Sequence, residues 1–208
     1  MIVFKMTYDT SVVADFAPTF NNGWGYDYTT KTSTSGTLKT VTYESDTAFT
    51  AISLPNNNRN CVKSVYVDLS GVTGVYNLCV SCQEMTEFIA VNATSKLNNL
   101  GQSTFDCTKL THITYENCDL SGVTNINNIF QTGAREAVTN ATFKNVKFNN
   151  TTKAMISYLC KATTMKIEDC DFSSVTSCYN LFVNCVGLTG TIDLSMHDFT
   201  NVYETNAM

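Results

Sequence analysis

The 208-residue sequence predicts a mainly β fold with short helices: a solenoid of about six repeats of 23–28 residues, preceded by a small β-rich N-terminal cap. Three observations predict it. Apolar residues recur at offsets 0, 3, 5, 8 and 10, most clearly at Leu110, Ile113, Tyr115, Cys118 and Leu120. Stretches of this kind start at Val62, Met85, Leu110, Val138 and Ala162 and near Thr189, separated by 23, 25, 28, 24 and about 27 residues. Between them the spacing becomes three, as in Val123, Ile126 and Ile129, which a short α- or 3₁₀-helical segment would produce. A unit with one apolar edge cannot bury that edge alone, so the pattern has meaning only if copies stack.

Residues 1–54 stand outside the period and read as a β-rich cap or attachment domain. Ile2–Tyr8 alternates as a strand, and Asn21-Asn22-Gly23 is a turn by composition. Trp24–Tyr28 alternates aromatic with small or polar residues, the period of a half-buried strand. Lys31–Gly36 is a loop by composition, and Leu38–Tyr43 is another alternating strand. Phe49, Ile52 and Leu54 lead to the array at 55–208. There the offsets are filled by Val62, Val65, Val67, Ser70 and Val72, more weakly by Met85, Phe88, Ala90, Ala93 and Ser95, and then by the unit at Leu110. Val138, Ala141, Phe143, Val146 and Phe148 follow, then Ala162, Met165, Ile167, Cys170 and Phe172. The last unit, around Leu188, Ile192, Leu194 and Phe199, is out by one residue. This is the leucine-rich-repeat template L-x-x-L-x-L-x-x-[N/C]-x-L. Ser70, Ser121 and Ser173 precede the three-residue spacing, where a hydroxyl serves as a helix N-cap.

The chain is 43% hydrophobic and 15% charged, with net charge −5 and no Lys/Arg cluster. That balance argues against a nucleic-acid surface or an anionic membrane. Low charge with abundant Asn and Thr points to an extracellular type of exterior. No apolar run reaches the roughly 18–20 residues of a membrane span. Lys5 and Asp9 break the N-terminal apolar stretch, so no signal peptide is expected in this chain. Nine cysteines fall mostly on the repeat register, as buried free thiols would.

Cys79-Val80-Ser81-Cys82 invites a zinc or redox reading, but the chain supplies no second matched pair and only two histidines, His112 and His197. Both are expected to face solvent. No metal or cofactor is expected. The outward strand positions Tyr66, Thr114, Thr142, Lys166 and Asp193, with Asp68, His112, Glu116, Lys144 and Glu168 beside them, form a candidate binding face. Glu116, Lys144 and Glu168 are expected to alternate in sign across parallel strands about 4.8 Å apart. Tyr26 and Tyr28 are candidate docking aromatics. Four glycosylation sequons begin at Asn92, Asn140, Asn149 and Asn150, in a chain whose composition produces them readily.

The segment Val175–Ser195 resembles the V-T-N-M-x-x-M-F-x-x-C-x-x-L-x-x-L-D-L-S unit of BspA-like leucine-rich-repeat surface proteins, also found in phage-encoded proteins. Val175, Thr176, Phe182, Cys185, Leu188, Asp193, Leu194 and Ser195 carry the match, and Val123-Thr124-Asn125-Ile126 with Ile129-Phe130 repeats it. It fades at Leu97–Phe105 and Lys153–Leu159. The resemblance implies adhesion or ligand binding, with no catalytic residues to carry over. The expected function is therefore a non-enzymatic, surface-displayed binding module, such as a phage tail, fibre or capsid-decoration component docking through its first 54 residues. A secreted or cell-wall adhesin and an oligomeric scaffold are the alternatives. Expected partners are other virion or surface proteins and a host-surface protein or glycan. The last repeat is expected to expose an apolar end through which copies could associate.

Overall fold

The computed structural model describes residues 1–21, 28–130, 134–159, 161–183 and 185–205. Eleven strands run in chain order: β1 (Ile2–Asp9), β2 (Thr19–Asn21), β3 (Thr29–Ser35), β4 (Leu38–Ser45), β5 (Ala51–Ser53), β6 (Val62–Asp68), β7 (Glu87–Val91), β8 (His112–Asp119), β9 (Asn140–Asn149), β10 (Thr164–Glu168) and β11 (Asp171–Ser174). Two short α-helices, α1 (Ala134–Ala137) and α2 (Ala154–Tyr158), flank β9, and a 3₁₀ turn at Arg59–Cys61 precedes β6. The chain is mainly β and winds as a β-solenoid of about four turns. One sheet carries the order β10-β9-β8-β7-β6-β1-β4-β3, with β11 also on β9, while β2 and β5 pair separately.

The solenoid register follows the sequence offsets. Val65, Phe88, Ile113, Ala141 and Met165 are successive Cα partners across the parallel strands, as are Val67, Ala90, Tyr115, Phe143 and Ile167. All ten are buried. Small residues sit among bulky ones in both columns, Ala141 between Ile113 and Met165 and Ala90 between Val67 and Tyr115, so neighbouring coils interlock there. Tyr115 stacks on Phe143 at 5.9 Å, and Phe148, Phe172 and Phe199 stack at 4.9 and 4.8 Å. At the entrance to each strand a hydroxyl ties one coil to the last. Thr86, Thr111, Thr139, Thr163 and Thr189 each direct Oγ1 to the carbonyl of Lys63, Thr86, Thr111, Thr139 and Thr163 in turn, at 3.1–3.4 Å.

The three-residue spacing has a different origin from the expected helix. It marks successive reverse turns, closed by Leu78 N–H to Val75 O (3.2 Å), Cys82 N–H to Cys79 O (3.2 Å) and Ile129 N–H to Ile126 O (3.1 Å). Alternate N–H groups pair with the next coil instead: Val75 to Asn99 O, Asn77 to Gly101 O, Cys79 to Ser103 O and Ser81 to Phe105 O, at 2.8–3.3 Å. Left-handed residues interrupt any helical run, at Asn77, Ser81, Gln102, Asp106, Asn128 and Asn180 (φ 55–61°). Ser70, Ser121 and Ser173 are likewise not helix caps. Their N–H groups bond the Oδ1 of Asp68, Asp119 and Asp171 two residues earlier (3.0, 3.0 and 2.7 Å), closing Asx turns. Gly122 follows one such turn because the previous coil passes there: a Cβ would lie 1.9 Å from Ser95 O. α2 forms where the resemblance fades at Lys153–Leu159, and α1 takes up residues of the longest, 28-residue unit.

Before the solenoid, β1 pairs antiparallel with β6 on one side and β4 on the other, so Phe4 and Met6 extend the buried columns through Val67 and Val65. β3, the stretch read as a loop, is a fully exposed strand. Its Thr/Ser/Lys composition suits an edge with both faces in water, and Gly36 (φ 61°) in a two-residue turn fixes its register on β4. Tyr28 is half-buried in a cluster with Phe20 and Tyr43 (5.7 and 5.5 Å) rather than displayed. Trp24 and Tyr26 lie outside the described residues. At the far end the unit near Thr189 forms no full strand among the described residues; its backbone pairs with its neighbour at isolated bridges, Asp171 with Asp198 and Ser177 with Glu204, beside the Thr189 bond and the Phe199 stack. The five parallel strands β6–β10 bound about four turns, fewer than the six units of the sequence pattern. Among the described residues no helix is long and apolar enough to cross a membrane.

Candidate binding face

Strand alternation sends two rows of side chains outward across the whole sheet, and pairing aligns them. One row runs Ser33, Thr40, Thr7 and Ser64, then continues through Glu87, His112, Asn140 and Thr164. The second runs Lys31, Thr42, Lys5 and Tyr66, then Ile89, Thr114, Thr142 and Lys166. Of the solenoid positions in these rows, the sequence pattern singles out Tyr66, His112, Thr114, Thr142 and Lys166, and passes over Ser64, Glu87, Ile89, Asn140 and Thr164. It missed the antiparallel half because nothing in the period places β1, β4 and β3 in the same sheet.

His112 is exposed and held by its neighbours. Asn140 Nδ2 lies 3.1 Å from Nε2 and Thr111 Oγ1 lies 2.9 Å from Nδ1. With the Asn140 amide donating to Nε2, the neutral ring carries its proton on Nδ1 and donates it to Thr111, whose hydroxyl passes on to Thr86 O. His197, expected in solvent, is instead half-buried and packs on Phe172 at 5.7 Å. Lys144 pairs with Glu116 at 3.5 Å, and Glu168 is its Cα partner on the other side. Lys166 is exposed, while Thr114 and Thr142 are half-buried.

Two candidate residues have other work. Asp68 is buried (6% exposed), with Oδ1 on Ser70 N–H and Oδ2 accepting from Asn92 Nδ2 at 3.0 Å each, so it is a corner residue and not part of the outer face. Asp193 closes the same kind of turn on Ser195 N–H (2.9 Å), and that bond holds its carboxyl below the ordinary carboxylate range. The sequon asparagines are engaged too. Asn92, Asn140, Asn149 and Asn150 each donate Nδ2, the glycan-accepting atom, to groups on a neighbouring coil.

Cys61, Cys79, Cys82, Cys107, Cys118, Cys170 and Cys178 are buried free thiols, Cys185 is half-buried, and Cys160 lies outside the described residues. Cys118 and Cys170 sit at the Asn/Cys position and direct Sγ to Ala90 O (3.7 Å) and Phe143 O (3.4 Å) of the preceding coil. Burial pushes the Cys118 thiol up to about 12 and those of Cys61 and Cys170 up to about 11; Cys79 is also raised by burial. Such thiols are poor nucleophiles and poor ligands. Among the described residues no three His, Cys, Asp or Glu side chains are placed to hold a metal ion.

A concavity of about 370 Å³ opens on the outer face where the antiparallel and parallel parts meet, around Lys5, Thr7, Thr42, Ser64, Tyr66 and Glu87. A register shift at Thr7/Tyr8 between β1 and β6 marks the same junction. Tyr66 is half-buried there; burial first, then Asp68 and Glu116, raise its phenol above the ordinary range. No family model, curated protein or solved structure matches the chain.

Proposed function

We propose that the chain is a non-enzymatic binding module that presents the outer face of its sheet to a partner. The observation that carries this is the pair of outward rows across eight strands: they are polar but for Ile89 and Tyr66, and they rest on one continuous buried core. Sites on strands of a packed scaffold are held more precisely than sites on loops. In this reading the coils are BspA-like leucine-rich repeats, with Cys118 and Cys170 taking the Asn/Cys role, and residues 1–54 are the cap and attachment segment. Display on a virion, as a tail, fibre or decoration protein, is the setting the resemblance favours; a cell-wall adhesin is the second.

Two measurements test it. Mass spectrometry of purified virions should detect the chain, and recovery only from cell-wall fractions of uninfected cells would remove the virion setting. Replacing Thr114 and Thr142 together by Arg puts two long charged side chains on the outer face. The variant should keep the wild-type circular dichroism and lose surface binding; undiminished binding would remove the face.

A further inference from the structure

Most lysines of this chain are already spoken for. Lys31 pairs with Glu44, Lys39 with Asp15, Lys63 and Lys109 with Glu84, Lys144 with Glu116, Lys147 with Asp171 and Lys161 with Glu136. Lys5 and Glu87 belong to none of these pairs, and both are exposed. They stand on opposite sides of the concavity at the β1/β6 junction, with Tyr66 between them as the register partner of Lys5. Two strand spacings and one side-chain repeat along the strand put their Cα atoms about 12 Å apart. They form no ion pair with each other among the described residues, and the span between them is short enough for one small ligand to meet both.

The chemistry of the lining selects that ligand. Thr42 and Ser64 bring hydroxyls that both donate and accept, the complement of a polyol, and the Thr7 hydroxyl, paired with Thr40 Oγ1 at 2.8 Å, keeps capacity for one more bond. Tyr66 and Ile89 add an aromatic ring and an apolar edge, the surface on which the C–H face of a sugar ring packs. Lys5 supplies a cation at the antiparallel side and Glu87 an acceptor of hydroxyl or amide hydrogens at the other. About 370 Å³ lies at the small end of ligand cavities, which excludes a long chain lying wholly inside. We infer that this concavity binds a carboxylate-bearing sugar, its carboxylate on Lys5, its ring against Tyr66 and its hydroxyl or amide donors directed to Glu87. The inference rests on the outer face being the binding surface and names the ligand class for one end of it.

The test is an amide-shift titration of ¹⁵N-labelled protein with N-acetylneuraminic acid, with glucuronic acid and with galactose as the neutral probe. The acidic sugars should shift the amides of Lys5, Ser64, Tyr66 and Glu87 saturably, and galactose should bind at least about tenfold more weakly, the discrimination expected for a charge-assisted hydrogen bond. Lys5→Ala should abolish that discrimination and Lys5→Arg should retain it; both replace an exposed side chain, so the dispersed spectrum is kept. Galactose binding as tightly as the acids, or no shifts with any of the three, would overturn the inference. If the groove stays silent while the Thr114/Thr142 double variant still loses surface binding, the sugar assignment fails and the face stands.

Discussion

Asn149 is the side chain on which the structure makes its firmest energetic prediction. Its Nδ2 donates to three carbonyls of the preceding coil, Leu120 (3.3 Å), Ser121 (2.9 Å) and Val123 (2.9 Å). Its Oδ1 accepts from Thr151 N–H, Thr152 N–H (2.8 Å each) and Thr152 Oγ1 (3.1 Å). Asn149→Asp keeps the shape and the acceptor while replacing two N–H donors by an oxygen that faces three carbonyls. Two lost hydrogen bonds at about 1 kcal/mol each, plus about 1 kcal/mol for half-buried carbonyls left facing a carboxylate, total about 3 kcal/mol. At roughly 2–4 °C per kcal/mol for a chain of this size, the melting temperature should fall by about 6–12 °C. Thermal melts followed by circular dichroism at pH 7 measure this, with Asn127→Asp at an exposed position as the neutral control. The introduced carboxyl, facing carbonyl oxygens, has its folded-state pKa raised. The charge-dependent part of its penalty is therefore absent well below pH 4 and grows as pH rises, so the gap to wild type should narrow, without closing, at low pH. A variant melting within about 2 °C of wild type at pH 7 would refute the reasoning.

Other consequences are equally direct. Gly122→Ala forces a Cβ against Ser95 O and should cost at least about 2 kcal/mol by urea titration, whereas Gly190→Ala, with nothing near it, should cost less than about 1. Iodoacetamide at neutral pH should leave the seven buried thiols unlabelled in the folded protein and label them all after denaturation without reductant; recovered disulfides would contradict the free-thiol core. Asp171 has its carboxyl below the ordinary range despite burial, which alone would raise it, because Ser173 and Lys147 hold the charged form. A depressed folded-state pKa stabilises above the unfolded value and is lost as pH falls through the folded one, so stability should drop below about pH 4, less so in Asp171→Asn. Glu116→Gln should change stability by less than about 1 kcal/mol, since its pair with Lys144 is half-exposed.

The solenoid was legible because its inward columns obey one rule: the same offsets that place Ile113 and Tyr115 place Ala141 and Phe143, and hydrophobic period reports burial directly. The connecting sides were misread for a physical reason. A spacing of three is shared by helices and by chains of three-residue turns, and what separates them is the left-handed corner, which Asn77, Asn128 and Asn180 supply. The asparagine content taken as a sign of a polar exterior is in good part this: Asn92, Asn117 and Asn145 hold the same left-handed corner in successive coils, with Asn145 Nδ2 on Asn117 Oδ1 at 2.9 Å. β3 escaped because a strand with both faces in water has no apolar period to detect. The outer groove was only half visible, since Tyr66 is on the repeat and Lys5 is not.

The interlocking of small and large residues in the columns has a consequence for how such a chain can change length. Residues 111–138 span one repeat of the sequence, and the threonines at its two junctions, Thr111 and Thr139, are equivalent. Excising them would seat Thr139 on Thr86 O, with every inward and outward position preserved. Phe88 would then meet Ala141 and Ala90 would meet Phe143, large against small in both columns. The β8 aromatic would be gone, but the new neighbours would still fit. The repeat should therefore behave as a removable cassette, and a shortened chain that folds with one turn fewer would mark it as the unit in which this scaffold is lengthened or trimmed.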